Sequence, residues 1–364
     1  MALVVEKNKI GLSCPIDLYG RGIPALSITT EGDSLPRESS LFSPSLARVA
    51  AVLSLSAAEE RLLVANLSAL GYGDPLIADS PGKLRMIIGS RVRDNYLETA
   101  VVIRGSEGDE WYSNFDIGYA AEHSGFGKAA DIAEQQLSDY IFTRLIGLEP
   151  RFFITGYSRG GAIANILCKR MCDRFGTDSV RGYTLASPAV TLSRRQARYN
   201  SIFNLVREED FFTRIPLESW GYTRYGKDIL LGGDVSEGYR ELTREDYAGF
   251  VGRGEADCLL AAVMRLAPNV PAYYKRRRVV GDRSLSLYEF MRSVADTLAG
   301  HPEDAGDVLL SAMVSDYSDL MELLAAGMEI PEFLTCTGTP RCSVADSHSP
   351  AAYLTALREA EKHW

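Results

Sequence analysis

The chain has 364 residues, 46% hydrophobic and 24% charged, a globular composition with length enough for a large core. Its 39 Lys and Arg against 48 Asp and Glu leave a net charge of −9, which argues against a nucleic-acid binder. No apolar run approaches the roughly 18 residues of a membrane span, Met1–Lys7 does not read as a signal peptide, and six cysteines are too sparse for a disulfide scaffold, so a cytoplasmic protein is expected.

Residues 1–40 read as an N-terminal extension of short strands and turns. Ser43-Pro44 opens a helix, with a capping serine ahead of a proline at the first helical position. Ser56-Ala57-Ala58-Glu59 reads as a capping box for a second helix, which Gly71 ends. Two β-rich stretches follow, Leu84 to Val92 and Tyr96 to Ile103. Ala130, Ala133, Leu137, Tyr140, Ile141 and Leu145 recur at three- and four-residue spacing, which predicts an amphipathic helix over 127–147.

Arg151–Thr155 is a short apolar strand, and Gly161–Leu167 opens a helix with Ile163, Ile166, Leu167 and Met171 on its buried face. Val180–Leu185 and Ser201–Val206 are the next strands. This alternation predicts an α/β fold, with a mostly parallel sheet flanked by helices. Residues 1–240 form the core in this reading, 241–340 a helical insertion or cap, and 341–364 a return to the core with a final helix entered at Ser349-Pro350. Chemistry in such sheets gathers at the carboxyl ends of strands, and Ser106, Ser158, Ser187 and Asp210 all fall just past one.

Between the Arg151–Thr155 strand and its helix lies Gly156-Tyr157-Ser158-Arg159-Gly160. A G-x-S-x-G pentapeptide between strand and helix is the sequence form of a nucleophile elbow, in which small neighbours admit a strained serine. The backbone N–H after the serine, that of Arg159, then faces the place where an oxyanion would form. A serine hydroxyl needs a base, and the base an orienting carboxylate. Of four histidines, His123 precedes the serine, His301 lies between insertion helices, and His363 is penultimate. His348, on a loop just before the final helix, is the natural base. Asp210 is the chosen acid, with Glu208, Glu209 and Asp228 as rivals. Ser106, in Arg104-Gly105-Ser106, fits a second oxyanion donor. Cys168 and Cys172 read as buried thiols, and Cys336 and Cys342 as reduced ones.

Together these segments resemble the class 3 lipase family of the α/β-hydrolase superfamily. Val101–Ser106 with Trp111, Asn114-Phe115 and His123–Phe126 is similar to its oxyanion-and-lid segment, and Ile154–Ala162 to its elbow. Thr184–Pro188, Val206–Asp210 with Arg214–Pro216, and Asp346–His348 with Tyr353 are similar to its later motifs, in the family's order. The resemblance implies an α/β-hydrolase fold and cofactor-free cleavage of carboxylic esters, commonly acylglycerols or phospholipids. It carries over Ser158, Asp210 and His348 as nucleophile, orienter and base, with Ser106 and the Arg159 amide as oxyanion donors. Two residues depart from the pattern: Tyr157 stands where histidine is frequent, and Arg159 where leucine is common. Other readings stay open: a non-catalytic binding protein of the same fold, or an acyltransferase or thioesterase using the same triad. Lys275–Arg278 is either a solvated loop or a transient contact with anionic headgroups at a lipid surface. Apolar insertion residues such as Leu259, Val263 and Leu323 either pack that block on the core or line an acyl-chain pocket.

Overall fold

Among the described residues eight strands share one sheet, in the order Arg240–Glu241, Lys227–Leu230, Ile202–Val206, Val180–Leu185, Glu149–Tyr157, Tyr96–Ile103, Leu84–Arg93 and Gly73–Ser80. The computed structural model describes residues 9–12, 28–31, 38–106, 113–114, 120–193, 196–208, 210–214, 222–231, 240–241, 348 and 350–361. β5 (Tyr96–Ile103), β6 (Glu149–Tyr157), β7 (Val180–Leu185), β8 (Ile202–Val206) and β9 (Lys227–Leu230) run parallel to one another. β3 (Gly73–Ser80) and β4 (Leu84–Arg93) add antiparallel at one edge, and β10 (Arg240–Glu241) at the other. A separate antiparallel pair, β1 (Lys9–Leu12) and β2 (Ile28–Glu31), lies beside the first two helices.

Helices cover both faces, so the central strands are apolar on both sides. On β5, Ala100 and Val102 point into one core layer, and Val101 and Ile103 into the other. The first layer is closed by α1 (Pro44–Ser56), α2 (Glu60–Ala69) and α5 (Pro350–Glu361). The second is closed by α3 (Ser124–Phe142) and α4 (Arg159–Phe175). With the serine turn between β6 and α4, this is the α/β-hydrolase architecture. No helix among the described residues is long and apolar enough to cross a membrane.

Most element ends follow from their caps. Ser43 Oγ accepts the Leu46 N–H at 3.3 Å and starts α1 at Pro44. Gly71, at φ +80°, closes α2: its N–H bonds to Ser68 O, and that of Tyr72 to Leu67 O, the paired bonds of a Schellman turn. The Ser56–Glu59 capping box is corrected. α1 runs through Ser56, whose hydroxyl donates back to Val52 O and accepts from Asn66, and Glu59 takes the capping position of α2 without a side-chain bond. The amphipathic helix is also shifted. It begins at Ser124, where His123 caps it, and ends at Phe142 rather than 147. The helices read over 255–326, and Cys336, Cys342 and Lys275–Arg278, lie outside the described residues.

Candidate active site

The elbow is built by steric necessity. Ser158 sits at φ 55°, ψ −125°, a left-handed backbone forced by the reversal from β6 into α4. The chain passes so close to itself there that a Cβ on Gly156 would collide with the carbonyl of Gly160. One on Gly160 would strike the carbonyl oxygens of Ile103 and Arg104 at the end of β5. The Ser158 N–H donates to Leu185 O at 2.9 Å, tying the turn to β7. Ser158 itself caps α4, so the N–H of Arg159 stands at the positive end of a 17-residue helix.

His348 arrives on the segment leading into α5. Its Nε2 lies 2.9 Å from Ser158 Oγ. Its Nδ1 lies 2.8 Å from Oδ2 and 2.9 Å from Oδ1 of Asp210. A carboxylate can only accept, so Nδ1 carries the proton and Nε2 faces the serine with its lone pair. Asp210 is wholly buried just beyond β8. Its Oδ1 accepts the Phe212 N–H at 3.0 Å and its Oδ2 the Tyr353 hydroxyl at 2.6 Å. These donors satisfy a buried anion that would otherwise be costly. Burial, with the neighbouring Asp210 charge, holds the Tyr353 phenol well above its usual pKa of 10, so it stays a donor. Phe212 and Tyr157 tilt against the imidazole, and the Tyr157 hydroxyl donates to the His348 carbonyl.

Ser106 lies beside the elbow. A Cβ on its neighbour Gly105 would meet Tyr157 O at 3.3 Å and Ser158 Cβ at 3.9 Å. The Ser106 hydroxyl accepts from Asn114 Nδ2 at 2.9 Å. Of the rival acids, Asp228 is engaged elsewhere. It accepts from Arg224 at 3.0 and 2.8 Å and from Asn204 at 2.9 Å. Glu208 is not among the groups bonded to His348, and Glu209, His301 and His363 lie outside the described residues. His123 is buried at the start of α3, where Nδ1 accepts the Phe126 N–H at 3.4 Å and Nε2 donates to Asn114 O at 3.2 Å. Cys168 and Cys172 are buried thiols, and burial pushes both upward, Cys172 to about 11.

Sequence reasoning assigned no role to Tyr157, to the Tyr353 hydroxyl or to the Arg159 side chain. Tyr157 and Arg159 stand out in the sequence only as departures from the family's elbow pattern, and Tyr353 only as a residue downstream of Asp346–His348.

Residues 87–220 match the family model for lipase (class 3). No curated protein matches the chain. Solved structures similar to it include a lipase from Rhizopus microsporus var. chinensis, at 15% identity and TM-score 0.46 over 57% of this chain and 81% of that one. The Rhizomucor miehei lipase propeptide complex aligns at 18% identity and TM-score 0.42, over 56% and 73% of the two chains. Lipase II from Rhizopus niveus aligns at 16% identity and TM-score 0.42, over 56% and 83%.

Proposed function

We propose that this chain, a lipase-type hydrolase carrying the class 3 lipase pattern over residues 87–220, cleaves carboxylic esters through an acyl-enzyme on Ser158. The observation that carries the reading is the His348 imidazole, bridging Ser158 Oγ at 2.9 Å and Asp210 at 2.8 Å.

In this reading Ser158 Oγ attacks the carbonyl carbon while its proton passes to His348 Nε2. Asp210 holds the Nδ1–H and stabilises the imidazolium. The carbonyl oxygen becomes an oxyanion facing the Arg159 N–H and Ser106. Such donors are each worth about 3–4 kcal/mol of transition-state stabilisation. As the tetrahedral adduct collapses, His348 returns the proton to the departing alcohol. Water then attacks the acyl-enzyme with His348 again as base, releasing the carboxylic acid and restoring the serine. Acylglycerols, phospholipids and simple acyl esters all present the bond this sequence needs.

The experiment is hydrolysis of p-nitrophenyl esters of short to long chain, with phospholipids alongside, by wild type and Ser158→Ala. Fluorophosphonate labelling runs in parallel. Wild type should hydrolyse and label, and Ser158→Ala should do neither. A wild type that neither hydrolyses nor labels points instead to a non-catalytic binding protein.

A further inference from the structure

We infer that the Arg159 side chain is a positioning residue for the Ser106 hydroxyl, acting through Ser113 and Asn114. The inference rests on the reading of Ser106 as an oxyanion donor. The backbone N–H of Arg159 has its own proposed role at the oxyanion. The side chain does something separate.

Arg159 is 1% exposed, an unusual burial for a guanidinium. It leaves the first turn of α4 and spans two segments. Nε donates to Ser113 Oγ at 3.1 Å, and Nη2 donates to Lys83 O, in the turn between β3 and β4, at 2.5 Å. Ser113 is followed by Asn114, whose Nδ2 donates to Ser106 Oγ. The other side of Asn114 is held by the buried His123, whose Nε2–H donates to its carbonyl. The Ser113–Asn114 turn is therefore pinned from both flanks, by α4 and by the start of α3.

The pinning bears on Ser106. A free hydroxyl rotates among three staggered wells. One that accepts a hydrogen bond from Asn114 has a lone pair committed, and its own hydrogen is directed elsewhere. A donor aimed before the charge develops costs no reorganisation at the moment of reaction. Arg159 reaches from the residue after the nucleophile to the turn that orients this donor. It thereby links the two halves of the proposed oxyanion site. A planar guanidinium suits the task, because its fork fixes two acceptors in one geometry.

The test is a double-mutant cycle between Arg159→Met and Ser106→Ala, read as kcat and KM for a p-nitrophenyl ester. Methionine keeps the backbone N–H, the apolar stem and most of the volume. The expected loss in kcat for Arg159→Met is about 10–100-fold with KM within about twofold, shrinking to under about threefold when Ser106 is already alanine. An equal loss in both backgrounds means that Arg159 acts on stability or elsewhere in the site, and overturns the inference. Should Arg159→Met fail to fold by circular dichroism, Ser113→Ala removes the acceptor and leaves the arginine. Its loss should likewise vanish in the Ser106→Ala background, and an equal loss in both overturns the inference as well. A wild type that hydrolyses no ester and takes no fluorophosphonate overturns the reading of Ser158 and this inference together. Wild-type activity with additive losses overturns this inference alone.

Discussion

The Tyr353 hydroxyl donates a 2.6 Å hydrogen bond to Oδ2 of Asp210, the oxygen that also lies 2.8 Å from His348 Nδ1. Helix α5 thus supplies a hydrogen-bond donor to the carboxylate that His348, just ahead of the helix, also contacts. Tyr353→Phe removes a single oxygen and keeps the packing. It leaves a buried carboxylate one donor short, at about 1–3 kcal/mol. Thermal melts should show that loss, and kcat should fall about 3–10-fold with KM unchanged, since the imidazole loses part of its support.

Asp210 and Asp228 separate the proposed orienting acid from a structural one. Asp210→Asn should lower kcat by about 10⁴-fold, because an amide favours the wrong tautomer of His348. Asp228→Asn weakens a bidentate pair with Arg224, both side chains largely buried. It should cost about 2 kcal/mol in denaturant melts while kcat changes less than about threefold.

Gly160→Ala tests the elbow by sterics. The added methyl group runs into the backbone carbonyls of Ile103 and Arg104, which cannot swing away as a flexible side chain can. The cost should be about 3 kcal/mol or more, at the upper end for overpacking. Ester hydrolysis should fall further than the folded fraction measured by circular dichroism, because the shift displaces Ser158 and the Arg159 amide together.

Stability should decline at alkaline pH through the thiol of Cys172. Burial raises it from 9.0 to about 11, offset in part by a hydrogen bond from Ser201. A group with a raised pKa contributes stability that is complete below the unfolded value and disappears as pH climbs through the folded one. The window is therefore about pH 9 to 11. Melting temperatures taken across it should fall less steeply for Cys172→Ala than for wild type. Identical slopes would remove Cys172 as a cause.

Regular elements with one dominant period were readable from the residues alone. β5 and β7 are continuous runs whose ends fall where the residues place them, while α4, read as opening at Gly161, begins two residues earlier at Arg159. β3 was missed because it is an exposed edge strand. Pro75 and Asp74, the latter at φ 49°, interrupt its pattern, and most of its side chains face water. The capping box failed because Ser56 bonds within its own helix, a competition that spacing cannot resolve. Asp210 is the acid chosen from the sequence, yet Glu208 and Glu209 beside it stay rivals, because three adjacent acids carry no local signal strong enough to separate them. The selection comes from the short 3-10 turn at Phe211–Arg214, whose Phe212 N–H bonds Asp210, and from α5, far along the chain. Tyr157 and Arg159 were noticed only as departures from a pattern, since their partners His348 and Ser113 meet them only in three dimensions.

Ser158 is embedded where β6, α4 and β7 meet, whereas His348 lies two residues ahead of α5, a helix docked on α1 against the first core layer. Local opening of a docked helix takes less free energy than opening a central sheet. On heating, any turnover that depends on His348 should therefore fade before the ellipticity of the strands does, giving two thermal thresholds, a lower one for the proposed chemistry and a higher one for the shape.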